Sequence, residues 1–313
     1  MRVFLVLILI SFTLFGKLAE SNKTTLSSDT KLFLWEATKD DKRFYLLGTM
    51  HLPHPKITFN ITPKVKKIID RVDYVYTEIP LDFISQMVIT KAMVRDDNKS
   101  LKEILPPKVY KKLKDYLKSI NPYMSVESFD RLKIWAIGLG LEGLKYQVKY
   151  RDFTPLDKAI YEYAFKNRKF RGGIESLDEQ INVFKGFTLE EEIKMLDETL
   201  DGYKKYPNLV DELIDIYFLA DEKKLEEIYK RGNTLIELDK KLLKKVEERI
   251  LFSRNKRMAQ RVDRIANDKK VYLFAFGAMH FVGKNSIIEL LNTKGYRIKR
   301  VNFKEVIKDD KRD

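Results

Sequence analysis

Two of the three histidines in the chain, His51 and His280, close near-identical segments. Phe44-Tyr-Leu-Leu-Gly-Thr-Met-His51 and Leu273-Phe-Ala-Phe-Gly-Ala-Met-His280 share an apolar run followed by Gly-x-Met-His. A buried strand that ends this way delivers an imidazole to the carboxyl edge of a sheet, because glycine permits a sharp exit from the strand. Ligands of open α/β sheets bind at that edge. Two more strand-like runs end in carboxylates: Tyr74-Val-Tyr-Thr-Glu78 and Arg171-Gly-Gly-Ile-Glu175. Four strand ends would then present His51, Glu78, Glu175 and His280. Such a nitrogen and oxygen donor set suits a divalent ion such as Mn²⁺, Co²⁺, Fe²⁺ or Zn²⁺. An ion of this kind lowers the pKa of a bound water and polarises a carbonyl, and a spare carboxylate can act as general base. The plain alternative is that both histidines bond only to backbone and that Glu78 is a surface residue before a turn. HExxH is absent. His51-Leu-Pro-His54 offers an HxxH pair, but Pro53 opposes a regular helix there, so His54 reads as a loop residue.

Arg254 is the next anomaly. A helix expected over 250–266 carries the apolar stripe Leu251, Met258, Val262 and Ile265, and Arg254 falls on it. A buried arginine needs a carboxylate or a ligand as partner. A salt bridge to Glu78 or Glu175 and a role toward ligand are both open, and the neighbouring Asn255 can donate and accept. Trp35 and Trp135 lie in apolar runs and read as core.

The elements that must position these residues follow from period and punctuation. Runs 32–36 and 43–47, split by Asp40-Asp41-Lys42, read as a hairpin. A helix over 63–71 leads into strand 74–78, which Pro80 ends. Residues from about 81 to 268 are helical by period, interrupted by Pro106-Pro107, Asn121-Pro122, Thr154-Pro155 and the β-like run 169–174. The chain then returns to strand 270–276, helix 286–292 and strand 296–303. Strands at both ends with helices between predict one α/β sheet carrying a large helical middle insertion.

Composition narrows the chemistry further. The chain has 313 residues, 44% hydrophobic, enough for a sizeable core. Zero cysteines exclude thiolate metal sites, iron–sulfur clusters, disulfides and cysteine nucleophiles. The net charge of +14 is spread along the chain and interleaved with Glu and Asp, as on solvated helix faces, so no nucleic-acid partner is expected. Met1-Arg2 and the apolar run Val3–Phe15 read as a signal peptide over 1–19, with a signal-anchored form as the alternative; a linker over 20–30 follows. Sequons at Asn22, Asn60 and Asn98 support export, Asn60 least because proline follows it. No later run is long and apolar enough for a second anchor. A single catalytic domain is expected over 31–305, with a charged tail over 306–313.

Taken together, Leu34-Trp35, Leu47-Gly-Thr-Met-His51-Leu-Pro-His54, Thr77-Glu78, Gly173-Ile-Glu175, Arg254-Asn255-x-x-Met258-Ala259 and Phe276-Gly-Ala-Met-His280-Phe-Val-Gly283 resemble the TraB/GumN group, most closely the Tiki metalloproteases. The resemblance spans residues 32–303. It implies an α/β fold with a mixed, mostly parallel sheet, related to erythromycin-esterase-like and ChaN-like proteins. It also implies a Mn²⁺- or Co²⁺-dependent endopeptidase that trims the amino-terminal region of secreted Wnt proteins and so restrains Wnt signalling. Its matching positions are His51 and His280 as paired histidines, Glu78 and Glu175 as acidic residues, and Arg254 with Asn255. Tiki proteins generally carry a carboxy-terminal hydrophobic segment, which this sequence does not show. The expected function is a secreted metallopeptidase acting on a secreted protein or peptide. A protein on the same fold that sequesters a signalling protein without cutting it is the alternative, and a hydrolase of non-peptide esters or amides a third.

Overall fold

A computed structural model describes residues 31–234, 239–267 and 269–308. The leader, the linker, Asn22 and the last five residues of the tail lie outside the described residues.

Strands β1 (Leu34–Lys39) and β2 (Lys42–Thr49) form the expected antiparallel hairpin. Its two-residue turn holds Asp40 at φ 50°, a left-handed conformation that aspartate tolerates. Strands β3 (Tyr74–Thr77), β4 (Phe170–Gly173), β5 (Tyr272–Gly277) and β6 (Arg297–Arg300) complete one six-stranded sheet in the order β4-β3-β5-β2-β1-β6. β2, β3, β4 and β5 run parallel, and β1 alone opposes its neighbours. The sheet is therefore mixed and mostly parallel. Every residue of β5 is buried, as a central strand covered on both faces requires.

The helices, in chain order, are α1 (Thr62–Asp70), α2 (Phe83–Met93), α3 (Leu101–Ile104), α4 (Pro107–Ile120), α5 (Ile134–Lys149), α6 (Leu156–Lys166), α7 (Leu177–Lys185), α8 (Leu189–Lys205), α9 (Leu209–Leu219), α10 (Glu222–Thr234), α11 (Lys240–Glu247), α12 (Ser253–Ile265), α13 (Ile287–Asn292) and α14 (Phe303–Lys308). The helical middle divides by what it packs against. Ile160 of α6, Leu213 of α9 and Met258 of α12 join the core around the sheet. Leu113 of α4, Ile137 of α5 and Leu196 of α8 form a separate core of their own. A third cluster joins α2, α7 and α11 through Ile89, Val183 and Val246. Only part of the middle is thus an insertion; the rest covers the sheet. α14 runs into the stretch expected to be a charged tail and buries Val306. Both tryptophans are core, as expected, Trp135 stacking on Phe184 at 4.7 Å. Among the described residues, no helix is long and apolar enough to cross a membrane.

Candidate metal centre

The two echo segments are neighbours. β2 and β5 pair in parallel with Gly48 opposite Phe276 and Thr49 opposite Gly277, so both His-bearing exits leave the same edge of the sheet. Gly48 is required by close approach, since a Cβ there would stand 2.8 Å from the Cβ of Phe33 and 3.1 Å from Ala278. β3 joins the other side of β5 and brings Glu78 to that edge. The β3–β4 ladder continues past both strands, with Ile174 N donating to Thr77 O (2.9 Å) and Glu175 N to Glu78 O (2.8 Å). The two glutamates therefore sit side by side. Gly173 permits this: a Cβ would lie 2.4 Å from Pro80 Cδ and 2.7 Å from Ile79 Cα.

Three buried side chains meet here. His51 Nε2 lies 3.5 Å and His280 Nε2 3.6 Å from the same oxygen, Glu78 Oε1. Gly277 N donates to that oxygen at 2.7 Å. The far ring nitrogens are fixed from behind. Asn255 Nδ2 donates to the carbonyl of Asn285 (2.8 Å), which turns its Oδ1 toward His280 Nδ1 at 2.6 Å. His280 then donates its Nδ1 proton to Asn255, which turns Nε2 toward Glu78. His51 Nδ1 lies 3.1 Å from Asp157 Oδ2, which sets the same tautomer, and its buried Nε2 has no hydrogen-bond partner. Two ring nitrogens and a carboxylate oxygen turned on one another need a cation between them, a proton or a metal ion.

Arg254 supplies the balancing charge on the other side. Its Nη2 donates to Glu78 Oε2 (2.5 Å) and to Glu175 Oε2 (2.7 Å), and its Nε also reaches Glu175 Oε2 (2.9 Å). Gln180 Nε2 bridges the same two carboxylate oxygens at 3.3 and 3.1 Å, and Arg257 reaches Glu175 Oε1 at 3.3 Å. The salt-bridge reading of Arg254 holds, and it engages both glutamates at once. A π-helical turn over Glu248–Phe252 precedes α12 and carries Ile250, whose carbonyl accepts from Arg254 Nη1 at 3.3 Å. Such turns are frequent at functional sites.

The electrostatics follow from these contacts. Burial opposes the charge on His51, but the carboxylates of Asp157 and Glu78 outweigh it and push the ring up to about 10. Burial also disfavours ionised Glu78, yet Arg254 and His280 hold its carboxyl well below the usual carboxylate range. Burial likewise works against the Arg254 guanidinium, and Glu175 and Glu78 raise its pKa regardless.

Donor chemistry fits a divalent ion: two imidazoles with oriented Nδ1 partners and one carboxylate oxygen. The two imidazole-to-carboxylate spacings, 3.5 and 3.6 Å, are near the roughly 3.4 Å between donors that each stand about 2.1 Å from one ion. Among the described residues, no group of three or more His, Asp or Glu side chains stands, as placed, in an arrangement that could hold a metal ion. Glu175, expected beside Glu78, has both oxygens engaged by arginines. His54 packs elsewhere, on Tyr150 and Phe218 with ring centroids at 5.0 and 5.2 Å, and its Nδ1 accepts from Lys56 N. Asn60 is half-buried in a π-helical turn, whereas Asn98 is exposed and bonded to Arg131.

Asp157 and Gln180 escaped the reading of the sequence. Both had the signal that exposed Arg254. Asp157 lies on the buried stripe of α6 with Ile160, Tyr161 and Ala164, and Gln180 lies beside Ile181 and Phe184 on α7. A polar side chain on an apolar stripe needs a partner.

Fold and site together define an α/β protein with a buried histidine–glutamate centre at the carboxyl edge of its sheet. The chain belongs to the TraB/PrgY/gumN family, whose profile matches residues 33–300. It is similar to a protein named metalloprotease TIKI homolog from Nematostella vectensis, 26% identical, with 86% of this chain and 67% of that protein aligned. Metalloprotease TIKI1 of Danio rerio is 24% identical over 90% of this chain and 66% of its own length. Human metalloprotease TIKI1 is 23% identical over 87% and 62%. The chain thus spans about two thirds of the length of these relatives. No solved structure matches it significantly.

Proposed function

We propose that this chain is a secreted metal-dependent endopeptidase of the Tiki kind, acting on the amino-terminal region of secreted signalling proteins such as Wnt. The observation that carries the reading is the convergence of two oriented imidazole Nε2 atoms on one oxygen of Glu78. The names of the relatives support it.

In this reading His51, His280 and Glu78 Oε1 hold a divalent ion, Mn²⁺ or Co²⁺ by the family resemblance. When bound, the ion makes a water nucleophilic near neutral pH and polarises a peptide carbonyl. Asp157 and Asn255 keep both imidazoles in the ligating tautomer. Arg254 holds Glu78 ionised through Oε2 while leaving Oε1 facing the histidines, Glu175 holds Arg254 in place, and Gln180 bridges the two carboxylates.

The test is the metal content of the purified chain beside the His51→Ala/His280→Ala double variant, followed by peptide cleavage with Mn²⁺ or Co²⁺ supplied. Near-stoichiometric metal in the wild type, lost in the double variant together with cleavage, supports the reading. A wild type that takes up no metal even when supplied with it overturns the reading and favours a sequestering protein on the same fold.

A further inference from the structure

A cavity of about 660 Å³ lies where α4, α5 and α8 end and α9 begins, and it shares no residue with the candidate centre. Small-molecule sites commonly measure about 300–1,000 Å³, with mostly apolar walls and a few polar groups that orient the ligand. The walls here are fixed. Tyr116 stacks on Tyr203 with ring centroids 4.5 Å apart, and its hydroxyl donates to the carbonyl of Leu141 at 3.2 Å. Tyr146 is buried and donates to Asp211 Oδ1 at 2.7 Å. Leu200 belongs to the core of α4, α5 and α8, whereas Tyr146 and Val210 belong to the core around the sheet. The cavity therefore sits on the seam between two hydrophobic cores, and both supply apolar wall.

The lining carries an unbalanced charge. Lys112, Lys145, Lys149 and Lys204 face Asp115 and Asp201. Both carboxylates are already taken, Asp115 by Lys111 at 2.7 Å and Asp201 by Lys112 at 2.5 Å. Lys145 pairs with Asp211 at 3.3 Å. Lys149 lies over the Tyr150 ring, 4.9 Å from its centroid. Among the described residues, neither Lys149 nor Lys204 is in an ion pair with a carboxylate. They stand in the last turns of α5 and α8, where the helix dipole favours a cation and ammonium donors stay free for a ligand.

We propose that this cavity binds a small amphiphilic anion, an apolar body carrying one carboxylate or sulfonate group. The body lies against Tyr116, Tyr146, Leu200 and Val210, and the headgroup meets Lys149 and Lys204. Charge and wall together select this class. A cation meets four lysines, a neutral apolar molecule leaves two ammonium groups unmatched, and a bare inorganic anion leaves the apolar wall in water. Lysine stems pack along apolar surface and hold the ammonium at its edge, which places the charge where such a headgroup emerges. The site stands apart from the peptidase reading and does not depend on it.

The test uses the full chain and the fluorescent probe anilinonaphthalene sulfonate. Dodecanoate and dodecylammonium, both below their micelle-forming concentrations, and an octaglutamate peptide compete for it. Dodecanoate should displace the probe at concentrations at least tenfold lower than either competitor. Lys149→Glu/Lys204→Glu should abolish that preference. Lys91→Glu/Lys102→Glu changes the net charge equally outside the cavity and should keep it. All four lysines are exposed, so both variants should melt with the wild type. No preference for dodecanoate, or a preference that survives the Lys149/Lys204 variant, overturns the site. Equal loss in both double variants reduces the effect to net-charge attraction and overturns it too. Octaglutamate that competes as well as dodecanoate assigns the lysines to an acidic protein segment and likewise overturns the proposal.

Discussion

His51 Nδ1 lies 3.1 Å from Asp157 Oδ2, a contact between the exit of the second strand and the first turn of α6. Both side chains are buried, and the carboxylate decides which nitrogen of the imidazole faces Glu78. The histidine that the sequence singles out thus depends on an aspartate that the sequence leaves unremarked.

Asp157→Asn keeps the shape and removes the charge. The ring's Nδ1 then faces a neutral amide in place of a charged acceptor, so metal affinity should fall about 10–100-fold. Competition with a metal-binding dye measures this. An affinity equal to that of wild type would show that Asp157 does not orient a ligand.

Arg254→Met should destabilise the fold by about 3–5 kcal/mol, because it leaves Glu78 and Glu175 buried side by side without their shared cation. Adding Glu175→Gln should recover part of the loss. Chemical denaturation of the single and double variants reports both values, and a single variant as stable as wild type would contradict the role assigned to the ion pair.

Gly173→Ala places a methyl group against Pro80 and Ile79, both within 3 Å of it. The loop carrying Glu78 has to move, at a cost of about 1–3 kcal/mol. Metal uptake should fall with stability. Gly202→Ala is the control, since a Cβ there meets nothing within 4 Å.

Glu192 gives a pH signature outside the site. Burial raises its carboxyl from 4.5 to about 7, against the opposing hydrogen bond from Trp135 N and the charge of Lys133. The folded state then binds this proton more tightly than the unfolded chain. Its contribution is fully present below 4.5, declines as pH rises and is gone above about 7. Glu192→Gln should flatten that segment of the stability profile. The gain above pH 7 should be about 2 kcal/mol, less than full linkage because the side chain keeps some solvent exposure. Denaturation midpoints at pH 5 and pH 8 suffice to check it.

The sequence by itself placed the hairpin, the strands ending at Glu78 and Glu175, and the paired Gly-x-Met-His exits. It also marked Arg254 as a buried charge. These are local signals: a strand end, a glycine exit and a charge on an apolar stripe are each legible within a dozen residues. The same stripe argument reaches Asp157 and Gln180, but without a partner in view nothing ranks them above ordinary surface residues near a helix start. Only the tertiary structure decided that β5 lies between β3 and β2, bringing His51, Glu78 and His280 to one point. It also decided that Arg254 takes up both glutamates at once, which leaves Glu78 Oε1 alone toward the histidines. Strand order and ion-pair choice depend on contacts between segments far apart in the chain. Their energies differ only once the whole core is packed, and no local pattern encodes them.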